Sequence, residues 1–428
     1  MRELEIYIEI NGDSVYVGDI TGNSSDDACF SYSDSYLSNL ENRPISISLP
    51  FLKKTFDPIA TKNFFEGLLP EGFTRKCVAE WMQTDENDYL SILLGLGQEC
   101  LGAIKVLDKN HRETESAYKK LTHEEVQKLA KEGATESAEI VTKSHLSLTG
   151  ASGKVGLYYD GHNWYLPMGN APSTHIVKQS HIRLKRIVAN ELLCLLTAKK
   201  LGIDVPYNFI VNLGTYEDND ILFATERYDR KITPQSNTLN GMPVPYRLHQ
   251  EDFSQALGIS SSDKYEKNNA GYMRDIFELI RNYSSDPISD QSKLWDICVF
   301  NYLIGNTDNH IKNLSLIYSE NLKTVRLAPA YDIISTIVYP SSSDDMSMSI
   351  DGVYNIHEIS REAFEKEAKN VGLGSKLAMK KYDSMLTRFS EALKSSAEEL
   401  IQQGIIGVEE IYYTIQARIR FILMNSMK

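Results

Sequence analysis

Hydrophobic and polar residues alternate at the start of the chain, and this pattern predicts a β-hairpin. Leu4, Ile6, Ile8 and Ile10 fall on one side of an extended segment, and the residues on the other side are Glu3, Glu5, Tyr7 and Glu9. A turn over residues 11–13 then leads into a return strand over 14–20. Strict alternation of this kind is typical of a sheet with one buried and one solvated face.

Further along, the pattern changes to helical spacing, which predicts a small α+β subdomain over residues 1–108. A short strand is expected over 44–50, and helical spacing extends over 64–94 with one interruption. Residues 109–145 are rich in Lys, Glu, Ser and Thr and are predicted to form a linker or insertion. This segment contains one expected helix, which begins at Thr122 with a capping box.

Two further segments complete the predicted organisation. Residues 146–230 are strand-rich around one helix over 186–201. Residues 231–428 are mostly helical, most clearly over 295–304 and 362–403. The chain is therefore expected to adopt an α+β fold, with strands concentrated in its N-terminal part and helices in its C-terminal part.

Length and composition indicate a folded protein of more than one lobe. The chain has 428 residues, of which 42% are hydrophobic and 24% are charged, as in ordinary globular proteins. Its formal net charge of −13 argues against direct binding to nucleic acid over a large surface and suits a basic partner. No apolar run approaches the roughly 20 residues of a membrane helix. Five scattered cysteines fit the reducing cytoplasm, where the protein is expected to reside.

The segment around residues 300–315 contains the most informative polar residues. Asp308 precedes Asn313 by five positions, and a second carboxylate, Asp332, follows a short predicted strand. Phosphoryl transfer to a hydroxyl needs a carboxylate that orients the nucleophile and oxygen ligands that hold Mg²⁺ on the phosphates. Protein kinases place an Asp and an Asn at this spacing on one catalytic loop. Taken alone, the pair is also typical of ordinary turns, in which Asp and Asn are frequent.

Upstream segments supply candidates for nucleotide binding. Lys178 ends an apolar-flanked strand and can reach phosphates as a point charge, although a solvated strand-end lysine is an equal alternative. Glu191 on the next helix is either its ion-pair partner or a surface glutamate. The loop over 147–154 offers glycines, hydroxyl groups and Lys154 to phosphate oxygens, a pattern that flexible hairpins also show. The strand over 222–230 has the place of a kinase hinge in the order of segments.

The succession of these segments resembles the HipA family, the serine/threonine kinase toxins of bacterial toxin–antitoxin pairs. The resemblance spans nearly the whole chain and rests on FFEGLLPE (64–71), SLTGASGK (147–154), APSTHIVK (171–178), ERYD (226–229), GNTDNHIKN (305–313) and LAPAYD (327–332). It implies a protein-kinase-like two-lobed fold, with an N-terminal α/β lobe and a mostly helical C-terminal lobe. It also implies ATP and Mg²⁺ as cofactors, with nucleotide binding in 146–230 and catalysis in 231–428.

The resemblance assigns roles to individual residues. It makes Asp308 the catalytic base and makes Asn313 and Asp332 the Mg²⁺ ligands. It places the hinge that contacts adenine over 226–228. The ATP-binding residues that it implies are Thr149, Gly150, Ala151, Ser152, Gly153, Lys154, Lys178, Glu226, Arg227, Tyr228, His310, Lys312, Asn313 and Tyr331.

Ser147 corresponds to the serine that family members autophosphorylate, a modification that disables ATP binding. About two added negative charges beside a triphosphate site would repel the nucleotide, which gives this off-switch a physical basis. Ser152 and Gly153 depart from the residues that are frequent at these positions in the family. Thr149 and Ser152 therefore stay open as alternative phosphorylation sites.

The resemblance also implies partners. These are a protein substrate, from a target class that includes a glutamyl-tRNA synthetase, and a HipB-like helix-turn-helix antitoxin through which DNA is mainly contacted. No membrane partner is expected. Two other functions stay open on the residues alone: a small-molecule phosphotransferase, and a catalytically silent corepressor that acts beside the antitoxin. The intact set of Lys178, Asp308, Asn313 and Asp332 argues against the silent corepressor.

Overall fold

The computed structural model describes residues 2–109, 115–132, 153–180 and 184–426. The strands in these ranges are β1 (Arg2–Ile10), β2 (Asp13–Gly22), β3 (Cys29–Tyr32), β4 (Thr55–Phe56), β5 (Ile104–Asp108), β6 (Ala117–Lys120), β7 (Lys154–Tyr159), β8 (Trp164–Met168), β9 (His175–Gln179), β10 (Asn208–Asn212), β11 (Ile221–Glu226), β12 (Arg230–Lys231), β13 (Thr238–Leu239), β14 (Met242–Pro243), β15 (Tyr246–Arg247), β16 (Gln250–Asp252), β17 (Ser315–Tyr318), β18 (Val325–Leu327), β19 (Asp345–Ile350) and β20 (Val353–Asn355).

Helices make up most of the remaining regular structure. The α-helices in the described ranges are α1 (Asp34–Ser38), α2 (Pro58–Phe65), α3 (Gly72–Trp81), α4 (Tyr89–Leu96), α5 (His123–Glu132), α6 (Ile187–Lys200), α7 (Phe253–Leu257), α8 (Tyr272–Tyr283), α9 (Pro287–Ile304), α10 (Arg361–Asn370), α11 (Ser375–Gln402) and α12 (Val408–Ser426). Short 3-10 helices cover Glu66–Leu68, Ser261–Asp263, Ile311–Asn313 and Thr336–Val338. Within these described ranges, every helix is too short or too polar to cross a membrane.

The chain divides into two compact units, and each is assembled from three separate segments. Unit 1 contains Met1–Gln179, Ala224–Ser261 and Leu316–Val325, and unit 2 contains Ser180–Phe223, Ser262–Ser315 and Arg326–Lys428. The chain therefore returns to unit 1 twice after leaving it. The predicted boundaries at residues 108, 145 and 230 do not coincide with the edges of these units.

Strands β1 and β2 form the predicted hairpin within a sheet of unit 1 whose order is β4-β3-β2-β1-β5. Ile6 and Ile8 are fully buried, as the alternation predicts. Glu9 lies on the face that was expected to be solvated, but it is only 7% exposed. Its carboxylate accepts hydrogen bonds from the Arg247 backbone N–H (2.7 Å) and from the Arg247 guanidinium (3.1 Å). The hairpin is confirmed, whereas the solvation of its polar face is wrong at this one position.

The strand predicted over 44–50 is wrong, because this segment forms turns and irregular structure. Its backbone donors bond to side chains rather than to a neighbouring strand. The N–H of Ile45 donates to the Tyr32 hydroxyl (3.0 Å), and the N–H of Ile47 donates to the Glu251 carboxylate (3.1 Å). Proline at both ends of the segment removes two further donors that a sheet ladder would need.

The expected helical region over 64–94 is confirmed as α2, α3 and α4, which are separated by short turns. The predicted capping box of α5 is also present. The Thr122 hydroxyl accepts from the Glu125 N–H (3.2 Å), and the Glu125 carboxylate accepts from the Thr122 N–H (2.8 Å). These features depend on residues that are close in sequence, which is why the pattern alone predicts them.

Glu251 is a fully buried carboxyl group in unit 1. It accepts hydrogen bonds from the Ser46 hydroxyl (2.5 Å), the Ile47 N–H (3.1 Å) and the Tyr318 hydroxyl. Burial disfavours the charged form more than these bonds favour it, and it raises the pKa of Glu251 to about 7. The folded protein therefore keeps this group protonated over a pH range in which the unfolded chain does not.

Replacement of Glu251 by glutamine is expected to remove one component of the pH dependence of stability. The pKa of Glu251 is raised on folding from an ordinary value near 4.5. Its contribution is therefore complete below pH 4.5 and is lost as the pH rises through about 7, by about 3 kcal/mol. Urea unfolding at pH 5 and pH 8 should show this loss in the wild type and in the exposed control Glu80→Gln, but not in Glu251→Gln. An equal loss in all three proteins would contradict the prediction.

A second sheet contains the strand that ends near Lys178. Within unit 1 the order of its strands is β9-β7-β8-β6, and β7 pairs antiparallel with β9. The expected strand before Lys178 is confirmed as β9. The strand expected over 222–230 is confirmed only as far as Glu226, where β11 ends, because a turn over residues 228–229 follows it.

The core of unit 2 is helical, as predicted for the C-terminal part of the chain. Trp295 on α9 is 1% exposed, and its indole N–H donates to the Ala378 carbonyl on α11 (3.0 Å). The helical region expected over 362–403 consists of two helices, α10 and α11, rather than one. Gly372 interrupts it with a φ of +77°, a left-handed conformation that glycine adopts without steric cost.

Candidate functional site

The loop that follows α9 in unit 2 is fixed by backbone and amide hydrogen bonds. Gly305 ends α9 with a φ of +79°, and a Cβ at this position would lie 2.6 Å from the Ile337 side chain. The Asp308 N–H donates to the Asn306 side-chain oxygen (3.0 Å), and the Asn306 amide donates in turn to Asn301 on α9 (2.7 Å). Both asparagines are buried. The backbone of Asp308 is therefore tied to the helix that precedes it.

Asn313 contacts the same loop from its other end. Its side-chain Nδ2 donates to the Asp308 carbonyl (3.0 Å), and the His310 N–H donates to the same oxygen (2.9 Å). Because the donor end of this amide is used on the backbone, its Oδ1 is directed away from that contact. The spacing of five residues thus brings the base candidate and an oxygen ligand onto one compact loop, as the sequence predicts.

The segment that contains Asp332 is linked to this loop through the preceding residue, Tyr331. The Tyr331 hydroxyl donates to the Lys312 carbonyl (2.9 Å) and shares a hydrogen bond with the Ser315 hydroxyl (2.6 Å). The residues before Asn313 and before Asp332 are therefore joined directly. Asp332 has a φ of +56°, a left-handed conformation that is uncommon for residues other than glycine and in which aspartate and asparagine are enriched.

The pair Asn313 and Asp332 suits Mg²⁺ better than a metal that needs several protein ligands. Mg²⁺ in phosphate-transfer sites is held by one or two side-chain oxygens together with phosphates and water. Among the residues that the structure describes, no group of three or more His, Cys, Asp or Glu side chains is placed to bind a metal. An amide oxygen and a carboxylate are ligand types that Mg²⁺ takes, so Asn313 and Asp332 are candidates to hold it, and bound Mg²⁺ would neutralise charge on the phosphates.

Thr307 and Thr336 form hydrogen bonds that hold the start of the loop that contains Asp308. The Thr307 N–H donates to the Thr336 hydroxyl (2.8 Å), and the two hydroxyls lie 2.7 Å apart. The Thr336 hydroxyl also contacts the Gly305 carbonyl (3.0 Å). All three residues are in unit 2, and both threonines are buried. These contacts fix the backbone of the residues that directly precede Asp308.

Tyr265 is a site residue that the sequence did not indicate. Its hydroxyl donates to Oδ1 of Asp308 (2.9 Å), and its ring meets the His310 ring edge-on, with centroids 5.2 Å apart. It precedes α8 and lies 43 positions from Asp308 in the chain. No local pattern links two residues at that separation, so only the folded structure reveals the contact.

A cavity of about 660 Å³ opens beside Asp308 within unit 2. The serine-rich segment over 341–345 forms part of its wall, so this low-complexity patch belongs to the surroundings of the site. The volume is large enough to admit a peptide segment or a ligand of moderate size. Residues of the wall with hydroxyl or carboxylate groups include Tyr265, Asp308, Thr336, Tyr339, Asp345 and Tyr354.

In unit 1, two buried lysines face each other across adjacent strands. Lys154 on β7 is the register partner of Lys178 on β9, and their exposed fractions are 9% and 8%. Directly opposed residues on antiparallel strands point to the same face with Cβ atoms about 5 Å apart. Two positively charged side chains on one face of the sheet can contribute to the binding of a polyanion such as a triphosphate. Burial rules out the alternative that Lys178 is a solvated strand-end lysine.

The alternative that Glu191 is a surface glutamate is likewise wrong. Glu191 lies on α6 in unit 2 and is only 4% exposed. A buried carboxylate is rare unless it is paired or hydrogen-bonded. Glu191 stays a candidate for an ion pair with Lys178, and its burial excludes a solvent-exposed position.

The side chain of Arg227, a residue of the predicted hinge, belongs to a buried charge cluster of unit 1. The Arg227 guanidinium is completely buried and forms ion pairs with Glu99 (3.1 Å) and Asp229 (2.7 Å). Its backbone N–H donates to the Thr174 carbonyl (2.9 Å). Both groups are therefore committed within unit 1, because the guanidinium would have to leave a buried charge cluster to reach a nucleotide.

The other hinge residues differ from Arg227 in their surroundings. Glu226 is exposed at the end of β11, and the Tyr228 hydroxyl donates to the Gln250 side chain. Adenine contact through the backbone of the hinge over 226–228 stays a prediction, and within this hinge the Arg227 N–H is already bonded to the Thr174 carbonyl.

The remaining predicted residues fall into two groups. His310 and Lys312 are buried on the loop with Asp308, and Gly153 directly precedes β7. Five predicted residues lie outside the described residues: Ser147, Thr149, Gly150, Ala151 and Ser152.

Comparison with protein families identifies two matching domain models. Residues 146–397 match the HipA-like C-terminal domain, and residues 8–107 match the HipA N-terminal domain. The first match alone covers more than half of the 428 residues.

Similar proteins extend over most of the chain. The Sinorhizobium fredii protein Y4mE is 30% identical over 396 residues, which are 90% of this chain and 91% of that protein. The serine/threonine-protein kinase toxin HipA of Shewanella oneidensis is 28% identical over 374 residues, which are 84% of this chain and 81% of that protein.

A solved structure has the same fold. It is the Shewanella oneidensis toxin–antitoxin complex of HipA, HipB and operator DNA, whose matching chain gives a TM-score of 0.77 at 23% identity. The match covers 98% of this chain and 97% of the other. The predicted kinase-like α+β fold is confirmed.

Proposed function

The chain belongs to the HipA family of kinase toxins, and we propose that it transfers the γ-phosphate of ATP to a serine or threonine of a protein. The observation that supports this most directly is the joined arrangement of Asp308, Asn313 and Asp332 on adjoining segments of unit 2. A base and two oxygen ligands in this arrangement meet the requirements of phosphoryl transfer.

In the proposed reaction, the hydroxyl oxygen of the acceptor forms a bond to the γ-phosphorus. The bond from the γ-phosphorus to the bridging oxygen breaks, and ADP leaves with the electron pair. Asp308 orients the hydroxyl and accepts its proton. Lys154 and Lys178 supply positive charge to the phosphates, and the cavity beside Asp308 offers room for the protein segment that bears the hydroxyl.

Two regulatory features accompany this proposal. Autophosphorylation at Ser147, or at Thr149 or Ser152, would introduce charge near the nucleotide and act as an off-switch. A HipB-like antitoxin is the proposed partner, since the structural relative is in complex with HipB and operator DNA. The net charge of −13 suits a basic DNA-binding partner that makes the main contact with DNA.

The test is phosphate transfer by the purified chain with γ-labelled ATP and Mg²⁺ in the absence of any other protein. We expect label on phosphoserine or phosphothreonine of the chain itself. Lys178→Met should raise the ATP concentration for half-maximal rate at least tenfold. A change of this size corresponds to the loss of one charge-assisted hydrogen bond to the nucleotide. Lys120→Met, which replaces an exposed lysine on β6 of the same sheet, should behave as wild type.

Absence of label on the chain would contradict the proposal and favour a small-molecule acceptor. An unchanged ATP requirement in Lys178→Met would remove this lysine from the nucleotide site and leave the reaction itself intact.

A further inference from the structure

We propose that Tyr265 is a positioning residue that holds the Asp308 carboxylate in the orientation required to accept the proton of the substrate. The inference rests on the proposed function, because it assigns Asp308 the role of base. It adds a residue that contacts the base directly and that no sequence motif marks.

The contact is a hydrogen bond between a neutral donor and an ionised acceptor. The Tyr265 hydroxyl lies 2.9 Å from Oδ1 of Asp308. Bonds to an ionised oxygen are stronger than bonds between neutral groups, and they restrict rotation of the carboxylate. The Tyr265 ring also meets the His310 ring at 84°, the edge-to-face geometry that aromatic rings favour. The tyrosine is therefore fixed at its ring and at its hydroxyl.

The backbone beside the tyrosine is connected to the backbone beside the base. The N–H of Glu266 donates to the Ser347 carbonyl (2.9 Å), and the N–H of Ser347 donates to the Thr307 carbonyl (2.8 Å). The Glu266 carboxylate accepts from the N–H groups of Gly271 (2.6 Å) and Ser349 (2.7 Å). One continuous set of hydrogen bonds thus sets the distance between the two side chains.

Burial does not explain why a tyrosine occupies this position. Tyr265 is 42% exposed, so water can satisfy its hydroxyl without a carboxylate partner. Its hydroxyl also lies at the distance from Asp308 that an acceptor hydroxyl must reach, roughly 2.6–3.2 Å. A tyrosine that merely blocks the base would slow the reaction, whereas a positioning tyrosine speeds it. The two roles therefore predict opposite effects when the hydroxyl is removed.

The experiment compares Tyr265→Phe with Tyr265→Ala in the self-labelling assay with Mg²⁺ and ATP. Tyr265→Phe keeps the ring against His310 and removes only the hydroxyl. We expect its maximal rate to fall about tenfold, with the half-maximal ATP concentration within twofold of wild type. Tyr265→Ala should be no more active than Tyr265→Phe. Label should stay on serine or threonine, which excludes the loss of a tyrosine acceptor.

Tyr283→Phe is the matched control, because Tyr283 is an exposed tyrosine at the end of α8. Its rate should equal that of wild type, and all variants should melt at the wild-type temperature. A wild-type rate in Tyr265→Phe, with or without a fall in Tyr265→Ala, would overturn the proposal, and so would a rise in rate. A changed ATP requirement at an unchanged maximal rate would also overturn it.

Asp308→Asn separates this proposal from the proposed function. If Asp308→Asn is inactive and Tyr265→Phe is fully active, only the positioning role of Tyr265 is contradicted. An unlabelled wild type, or a fully active Asp308→Asn, defeats the base and its positioning residue together.

Discussion

Replacement of Asp308 by asparagine is expected to lower the rate of phosphate transfer by about 10²–10⁴-fold, the usual contribution of a positioned general base. Asparagine keeps the shape of the side chain but cannot accept the proton of the acceptor hydroxyl. The loop should keep its structure, because it is held by the backbone of this residue: the N–H donates to Asn306, and the carbonyl accepts from Asn313. The measurement is the initial rate of self-labelling at saturating ATP, together with the melting temperature.

The matched control for this substitution is Asp383→Asn in the same unit. Asp383 forms an exposed ion pair with Arg361 (2.7 Å) on the surface of α10 and α11. Exposed pairs of this kind contribute at most about 1 kcal/mol, so its loss should leave the rate and the fold unchanged. A fully active Asp308→Asn would remove Asp308 as the catalytic base and would leave the family assignment in place.

Replacement of Glu99 by glutamine is expected to destabilise unit 1 by about 3–5 kcal/mol, because it removes one carboxylate from a buried cluster of ion pairs. Glu99 is 1% exposed and forms ion pairs with Arg227 (3.1 Å), Arg230 (2.8 Å) and Arg247 (2.8 Å). Burial alone would raise the pKa of the Glu99 carboxyl, but the charges of Arg230, Arg247 and Arg227 together hold it well below its usual range. The carboxyl is therefore ionised throughout the physiological pH range.

The number of buried cations explains the size of this effect. Three guanidinium groups form ion pairs with three carboxylates in the cluster, which consists of Arg227, Arg230, Arg247, Glu9, Glu99 and Asp229. The buried Lys105 interacts with the same groups, so loss of one carboxylate enlarges an excess of positive charge in a region of low dielectric constant. The remaining arginines then lose the partner that offset their desolvation.

Urea unfolding at neutral pH measures the effect, and Glu3→Gln provides the comparison. Glu3 also forms an ion pair in unit 1, with Lys109 (2.6 Å), but both side chains are exposed. Its substitution should change the free energy of unfolding by less than about 1 kcal/mol. Equal effects of the two substitutions would show that burial does not amplify the loss at Glu99.

The features that the sequence predicts well are those formed by neighbouring residues. The hairpin follows from the alternation of Leu4, Ile6 and Ile8, and the capping box of α5 follows from Thr122 and Glu125. In each case the partners lie within a few residues, so the physical interaction is visible as a spacing. The same reasoning accounts for the short loop from Asp308 to Asn313, whose ends are joined by a hydrogen bond.

The features that the sequence missed depend on partners far away in the chain. The segment over 44–50 has the alternation of a strand but does not pair with one. Its Ile47 N–H donates instead to the Glu251 carboxylate, which lies more than two hundred positions away. The contact of Tyr265 with Asp308 spans 43 positions. Tertiary partners decide such positions, and a local pattern does not contain them.

The discontinuity of the two units sets the order in which the chain becomes functional during synthesis. Unit 1 includes Leu316–Val325, where the Glu320 carbonyl accepts from the N–H of Asn11 (2.9 Å). The ribosome must therefore make about three quarters of the 428 residues before this unit can close. A nascent or truncated chain that stops before residue 325 has neither a complete unit 1 nor Asp332. We therefore expect products of interrupted synthesis to lack the proposed kinase activity.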